Sequence, residues 1–290
     1  MDILYHYCST ASFHAIIQSR ALWLSSLSLS NDTMEGKLVA SALARLAERE
    51  SLEYERGRLL QRGIGLFEET FDGLGFCLSE QGDLLSQWRG YAGNATGVAI
   101  GFSKEYLERL ANGERSEDNA GCILRQVEYD PSAHEARVEP TYRKVTQLFE
   151  DGTLKAGQRL GLIQIGGLTG QERVAAEIAN RQQELVKVIP SLLSLLLPLF
   201  LLKSPAFREE QEWRVLSMLT TDGEDACSHR FVNNSIVPYL TVKLVELERG
   251  PIVEVILGPK HDTPPGIVKN FLKMNGYDDV TVKKSEASYR

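Results

Sequence analysis

The stretch Leu4-Tyr5-His6-Tyr7-Cys8-Ser9-Thr10 decides how this chain begins to fold. Its first five residues are compatible with a β-strand, and Ser9 is of a type that begins a helix by accepting hydrogen bonds from first-turn amides. Apolar residues at helical spacing follow in residues 11–19, and residues 21–24 (ALWL) are typical of a second strand. The opening therefore predicts a strand–helix–strand unit with His6 on its first strand. Taken alone, a histidine in that place is more often a hydrogen-bonded core residue than part of a site.

The composition is that of an ordinary globular protein. The 290 residues are 43% hydrophobic and 24% charged, which suffices for one large domain or two small ones. A formal net charge of -7 excludes a uniformly basic nucleic-acid-binding surface, although it leaves room for a local basic groove. The four cysteines show no C-x-x-C spacing, so we expect neither a zinc cluster nor another metal site. With no pattern of a secretory signal, we expect a cytoplasmic protein.

The most apolar run extends over residues 189–202. It is shorter than the roughly 20 residues that span a bilayer, and Pro190 and Pro198 interrupt it. The run therefore predicts a buried helix and no membrane span. A contact with a membrane surface or a partner protein is the less favoured alternative.

The order of the remaining patterns predicts an α+β fold. Strand-like segments occur near both ends of the chain, and helix-like segments form two blocks between them. We therefore expect a mixed or antiparallel sheet, in a single domain over residues 1–290. Residues 132–207 are mostly helical in pattern and are predicted to form a helical insertion within that domain.

One predicted strand carries a group of charges. In residues 210–216 (EQEWRVL), strand alternation places Glu210, Glu212 and Arg214 on one face. Two carboxylates and a guanidinium on one face are either a solvated ion-pair ladder or the polar floor of a site.

Several short motifs, in this order, together resemble the bacterial domain-of-unknown-function 2971 family. They are residues 4–7 (LYHY), 22–24 (LWL), Asn31-Asp32 with Glu35, 76–79 (FCLS), Trp88 with Tyr91-Ala92, 97–102 (GVAIGF), Glu210 with 212–214 (EWR), 256–259 (ILGP), and Ser285 with Tyr289-Arg290. The resemblance covers nearly the whole chain and is weakest over residues 132–202. The family name itself implies no function.

A second, weaker resemblance does imply a function. A strand with a Tyr-His pair that runs through Ser9 and Thr10 into a helix is similar to the opening of ADP-ribosyltransferases. That resemblance implies their sheet fold, with NAD as substrate and an unknown protein or nucleic acid as acceptor. It also implies a toxin or phage-defence effector.

The resemblance further implies which residues act. Glu212, with Glu210 as the alternative, would stabilise the oxocarbenium-like charge that builds on the ribose when the nicotinamide bond breaks. His6 would hydrogen-bond the ribose on the adenine side. The residues implied for NAD binding are His6, Tyr7, Thr10, Ser79, Trp88, Tyr91 and Arg214, with Arg89 as a second candidate for the pyrophosphate.

Two other function classes are compatible with the same residues. One is a non-catalytic module that binds a nucleotide or a protein, with the Glu–Arg face as an ion-pair ladder. The other is a metal-dependent nuclease that uses Asp32, Glu35, Glu210 and Glu212, since paired carboxylates bind magnesium. The lack of a clustered Asp/Glu/Lys motif makes the nuclease the least favoured.

Overall fold

The computed structural model describes residues 2–29, 36–113, 121–155, 169–220, 227–232, 234–247 and 250–289. The predicted strand–helix–strand opening is present as β1 (Ile3–Cys8), α1 (Thr10–Ser19) and β2 (Ala21–Ser26). The Ser9 hydroxyl caps α1 by accepting a hydrogen bond from the Ser12 amide. The helix ends at Arg20, whose φ of 49° lies in the left-handed region, and it buries its apolar face against the sheet.

The other elements follow in chain order. The strands are β3 (Phe71–Ser79), β4 (Val98–Ser103), β5 (Ile123–Gln126), β6 (Glu212–Thr220), β7 (Ser228–Val232), β8 (Ser235–Lys243), β9 (Ile252–Leu257) and β10 (Thr281–Lys284). The helices are α2 (Lys37–Arg49), α3 (Tyr54–Thr70), α4 (Leu85–Gly90), α5 (Lys104–Ala111), α6 (Pro131–Glu150), α7 (Gly170–Leu192), α8 (Leu196–Leu199) and α9 (Pro265–Met274). Two 3₁₀-helices occupy Leu193–Leu195 and Pro205–Glu210.

The ten strands of the described residues belong to one sheet. Its main path runs β10-β9-β4-β1-β3-β2-β8-β7, with β6 on β3 and β5 on β6. The β9–β10 pair is parallel and the other pairs are antiparallel. A mixed sheet combined with helices confirms the predicted α+β class.

Strand β3 is where the sheet divides. A strand has two edges, and β6 runs along the whole length of one of them, from Phe71 to Ser79. The other edge is shared: β2 pairs with it at Leu74 and Gly75, and β1 pairs with it at Ser79. Strands β1 and β2 therefore diverge beside residues 76–78, and backbone groups of β3 in that gap need other partners.

Two large apolar cores hold most of the described helices to this sheet, and a third, smaller one around Trp88 holds α4. One core joins the strands to α1, α5 and α9. The other joins α2, α3, α6 and α7 to side chains of β3 and β6. The helical segment that follows β5 thus packs against the helical segment that follows β2. The buried residues of the apolar run at 189–202, such as Leu192 and Leu195, belong to this second core.

The charged strand differs from its prediction in one respect. Glu210 ends the second 3₁₀-helix, Gln211 has a φ of 44°, and β6 begins only at Glu212. The alternation rule failed there because a residue in the left-handed region turns the chain before the strand starts. The Asn31-Asp32-Glu35 motif lies outside the described residues. In the part of the chain that is described, no helix is long and apolar enough to cross a membrane.

Candidate functional site

A cavity of about 110 Å³ lies beside the place where β1 and β2 diverge. Strand β1 contributes Tyr5, His6 and Tyr7 to its lining, and the end of β3 contributes Ser79. Gln87 and Tyr91, on or next to α4, form another part of the wall. The remaining charged lining residues are Lys203, Glu210, Glu212 and Arg214. Elements far apart in the sequence therefore bring seven of the nine predicted site residues to one cavity.

The other two predicted residues lie elsewhere. Thr10 is exposed at the start of α1, where its hydroxyl donates to the Thr96 carbonyl at 3.3 Å. Trp88 is completely buried and supports the cavity wall from behind. Its ring meets that of Tyr7 edge-on at 4.9 Å, and its Nε1 donates to Asp83 at 2.6 Å.

A buried ion cluster forms the charged side of the cavity. The Glu212 carboxylate accepts from Arg214 Nε at 2.7 Å, from Arg214 Nη2 at 3.1 Å and from Lys203 Nζ at 2.8 Å. Lys203 Nζ also donates to Glu210 at 2.6 Å. Arg214 is anchored by a further bond from Nη1 to the Phe200 carbonyl at 2.8 Å. Two carboxylates thus face two cations, and the cluster has no net charge when all four groups are ionised.

Local backbone structure explains how two glutamates reach one lysine. The turn at Gln211 lets the side chains of Glu210 and Glu212 approach Lys203 from neighbouring positions, at the cost of a conformation that non-glycine residues avoid. The Ser79 hydroxyl holds this turn by donating to the Glu210 carbonyl at 2.6 Å. On the other side, the Glu212 amide donates to the Tyr129 hydroxyl at 2.9 Å.

These contacts set the ionisation of the cluster. Burial opposes the charge on Glu212, but the nearby charges of Arg214 and Lys203 outweigh it and lower the pKa of Glu212 to about 2. Burial likewise opposes the charge on Lys203, and the two glutamates raise its pKa above the usual value. Both groups are therefore ionised at neutral pH.

The two carboxylates differ in availability. Both oxygens of Glu212 are taken by cations, whereas Oε1 of Glu210 accepts only a long bond of 3.2 Å, from the Tyr91 hydroxyl, among the contacts of the described residues. Tyr91 itself is 42% exposed, so this part of the cavity is the part open to solvent. Glu210 is thus the carboxylate that a ligand reaches more easily.

His6 lies on β1, which is on the opposite side of β3 from β6 and its ion-cluster residues. Its Nδ1 donates to the Cys77 carbonyl at 2.8 Å, which supplies a partner to a β3 backbone group in the gap between β1 and β2. Its ring stacks on Phe76 with centroids 3.9 Å apart. Burial is the main cause that lowers the pKa of His6 to about 4. The ring is therefore neutral at pH 7, and with the proton on Nδ1 its Nε2 is an acceptor.

Tyr7, which follows His6 on β1, is part of the cavity wall. The Tyr7 hydroxyl donates to the Gln81 carbonyl at 2.7 Å and accepts from the Leu84 amide at 2.9 Å. Both functions of that hydroxyl are thus used by the loop before α4. What Tyr7 presents to the cavity is mainly its ring.

Sequence reasoning missed Lys203, the cation that joins the two glutamates. A signal was available, because Lys203 is the first charged residue after Lys187 and directly follows the apolar run. A charge at the end of such a run is expected to be buried, and a buried charge needs a partner. The sequence pattern did not show that the partners of Lys203 are Glu210 and Glu212.

The described residues contain no group of three or more His, Cys, Asp or Glu side chains that could hold a metal ion. Asp32 and Glu35, two of the four residues considered for a metal site, lie outside the described residues. The other two, Glu210 and Glu212, are held together by Lys203.

Comparison with known proteins gives one match. The family model described as "Protein of unknown function (DUF2971)" matches residues 87–215, which include α4, α6, Lys203 and the start of β6. No curated protein and no solved structure gives a significant match to the chain. The resemblance predicted from the motifs is thus confirmed over residues 87–215, which match the domain-of-unknown-function 2971 family.

Proposed function

We propose that this protein binds NAD in the cavity and cleaves the bond between nicotinamide and ribose, as an ADP-ribosyltransferase or an NAD glycohydrolase. The observation that carries the proposal is the convergence of His6, Ser79 and two glutamates on one cavity beside a divided sheet. The weaker resemblance of the sequence to ADP-ribosyltransferases supports the same assignment. With water as acceptor the products are nicotinamide, ADP-ribose and a proton; with a macromolecule, ADP-ribose is transferred to it.

The chemistry needs a negative charge next to the ribose. Breaking the bond leaves positive charge on the sugar, and an ionised carboxylate held in place stabilises that charge without reorganisation. We assign this contact to Glu210, since its Oε1 is the more accessible oxygen. Glu212, bound to Arg214 and Lys203, is assigned to fix Lys203 and therefore Glu210 in position.

The uncharged side of the cavity suits the leaving group. Tyr91 is exposed at the mouth and offers a ring face on which nicotinamide can stack. The neutral His6 offers an acceptor to a ribose hydroxyl. Drug-sized ligands commonly occupy pockets of about 300–1,000 Å³, so a cavity of about 110 Å³ takes the nicotinamide end and leaves the rest of the dinucleotide outside it.

The direct test is nicotinamide release from NAD, followed by chromatography. We expect release by the wild type, a loss of about 100-fold or more in Glu210→Gln, and strong losses in Glu212→Gln and His6→Ala. Glu209→Gln is the matched control, because Glu209 is the adjacent glutamate and is exposed. Equal rates in Glu210→Gln and Glu209→Gln would remove Glu210 from the mechanism, and no release by the wild type would count against catalysis by the isolated protein.

A second candidate is a non-catalytic module that binds a nucleotide or a protein. The observation in its favour is that both oxygens of Glu212 are already bound by cations, as in a structural ion-pair network. Calorimetry separates the two candidates. Binding of NAD without any release of nicotinamide would favour the module.

A further inference from the structure

We propose that Arg230, on β7, binds a phosphate group of the ligand that occupies the cavity. The proposal names the anionic part of that ligand and rests on the proposed function for taking the ligand to be a nucleotide. It concerns binding alone, so it can be tested apart from cleavage.

The position of the Arg230 guanidinium is set by three neighbours. Its carbon lies 5.7 Å from the centroid of the Trp23 ring and 6.0 Å from that of Tyr239. Its Nη2 donates to the Ser25 hydroxyl at 2.7 Å. Strand pairing of β7 and β2 with β8 brings these residues together, since Ser25 lies opposite Tyr239 and Arg230 opposite Val237. The two rings and the hydroxyl hold a planar donor group in one orientation.

The charge of Arg230 is uncompensated within the described residues. No carboxylate of those residues lies within ion-pair distance of it, and its Nε is buried and donates no hydrogen bond. By contrast, Arg214 is paired with Glu212, and Arg45 and Arg49 are both paired with Glu135. Burial lowers the pKa of Arg230, because the half-buried guanidinium is partly removed from water, while Tyr239 acts in the opposite direction. A half-buried cation without an anion is the arrangement that a bound anion would complete.

Arg230 borders the cavity without lining it: its partner Ser25 lies opposite Gly75 on β3 and two residues before Leu27, which is a lining residue. Its positive charge adds to burial in lowering the pKa of His6, so its field reaches a residue of the cavity lining. Arg214, predicted from the sequence to meet the pyrophosphate, is only 2% exposed and is occupied by Glu212. Arg89, the second candidate, lies over the ring of Tyr289, with its guanidinium carbon 4.8 Å from the centroid.

The available donors suit phosphate. Among the described residues Arg230 donates to Ser25 through one Nη2 hydrogen, which leaves the second Nη2 hydrogen and both Nη1 hydrogens for a ligand. Those donors form a planar fork that can bind two oxygens of one phosphate group. The ligand class is therefore an organic phosphate whose phosphate lies at Arg230, outside the cavity that takes its other end.

The test compares ADP with adenosine by isothermal titration calorimetry. The two probes share base and ribose and differ in the phosphates, so their affinity ratio reports the phosphate contact. In the wild type we expect ADP to bind about tenfold or more tightly than adenosine. Arg230→Gln should reduce ADP affinity by about tenfold or more and leave adenosine unchanged, and Arg230→Lys should be intermediate because it keeps the charge without the fork.

The matched control is Arg58→Gln. Arg58 also lies over an aromatic ring, 5.7 Å from the centroid of Tyr54, but both residues are on α3 and not on the strands that border the cavity. We expect wild-type affinity for ADP from this variant, and thermal melting shows whether each variant is folded. Absence of ADP binding to the wild type, or equal ADP affinity of folded Arg230→Gln and Arg58→Gln, would overturn the proposal. Nicotinamide release is measured separately, so a protein that binds ADP through Arg230 but releases no nicotinamide would refute only the cleavage.

Discussion

At the residue scale, Lys203 controls the ion cluster because it is the only described cation that contacts both glutamates. Its side chain is 6% exposed, and the interacting side chains of Glu210 and Glu212 are 11% and 6% exposed. Replacing it leaves two buried carboxylates with one guanidinium. The cluster thereby loses one of its two cations while both carboxylates stay largely buried.

We therefore expect Lys203→Met to lower the free energy of unfolding by about 3–5 kcal/mol. Arg56→Met is the control, since Arg56 pairs with Glu53 and the two side chains are 36% and 59% exposed; exposed pairs contribute at most about 1 kcal/mol. Urea denaturation at pH 7 measures both. Similar small losses in the two variants would mean that burial does not strengthen the cluster.

His6 predicts a pH dependence of stability. Its pKa is about 4 in the folded protein, compared with about 6.5 when unfolded. Between these values the unfolded state binds a proton that the folded state does not, so stability falls as pH decreases from 6.5 to 4. We expect a loss of about 2–3 kcal/mol between pH 7 and pH 4.5 from this group.

The contribution of His6 is isolated by comparing the wild type with His6→Gln, because the glutamine amide can still donate to the Cys77 carbonyl. Both proteins carry the same other ionisable groups, so the difference between their urea-denaturation curves at the two pH values belongs to His6. Parallel pH dependences in the two proteins would contradict the lowered pKa.

At the scale of elements, the end of the β1–β4 pair depends on a close backbone approach. Strand β1 pairs with β4 from Ile3 to Cys8, and Gly97 lies just before β4 begins. A Cβ atom on Gly97 would lie 2.1 Å from the Cys8 carbonyl oxygen and 2.9 Å from that of Ala92. Because both obstacles are backbone atoms, the strand end would have to move.

We expect Gly97→Ala to destabilise the protein by about 2 kcal/mol or more. Gly65→Ala is the control with the opposite sign. Gly65 is in the interior of α3 with nothing within 4 Å of its added Cβ, and alanine there improves helix propensity by up to about 1 kcal/mol. Chemical denaturation measures the stability of both variants. A change in the same direction in both would contradict the close backbone approach at the end of the β1–β4 pair.

At the scale of the whole molecule, residues 285–289 close the cavity wall from outside. The Ser285 hydroxyl and the Glu286 amide donate to Asp83, which also holds Trp88. The Tyr289 ring lies near two cations, with Lys260 Nζ 3.9 Å from its centroid. This segment therefore acts through Asp83 and Trp88 on α4, which carries part of the cavity lining.

Removing residues 285–290 should expose the indole of Trp88, which is completely buried in the intact protein. We expect stronger quenching of tryptophan fluorescence by acrylamide and a loss of about 2–3 kcal/mol in stability, since several hydrogen bonds of about 1 kcal/mol each disappear. Ser288→Ala, an exposed position within the same segment, should change neither quantity. Unchanged quenching after truncation would show that the segment does not hold Trp88.

The sequence by itself determined the local elements and the fold class. Ser9 caps α1 as predicted, and the strand–helix–strand opening and the α+β class also follow from patterns in the sequence. These are readable because capping and amphipathic periodicity depend on residues a few positions apart. The family resemblance rests on motifs of the same kind.

Only the tertiary structure decided what these elements bring together. The gap between β1 and β2 on β3, the bond from His6 to Cys77 and the position of Arg230 between Trp23 and Tyr239 join residues that are far apart in sequence. Even Lys203, nine residues from Glu212, contacts it only because a 3₁₀-helix and a turn at Gln211, which no periodicity indicates, intervene. Such contacts arise from strand pairing and burial of the whole chain, and a local pattern contains neither.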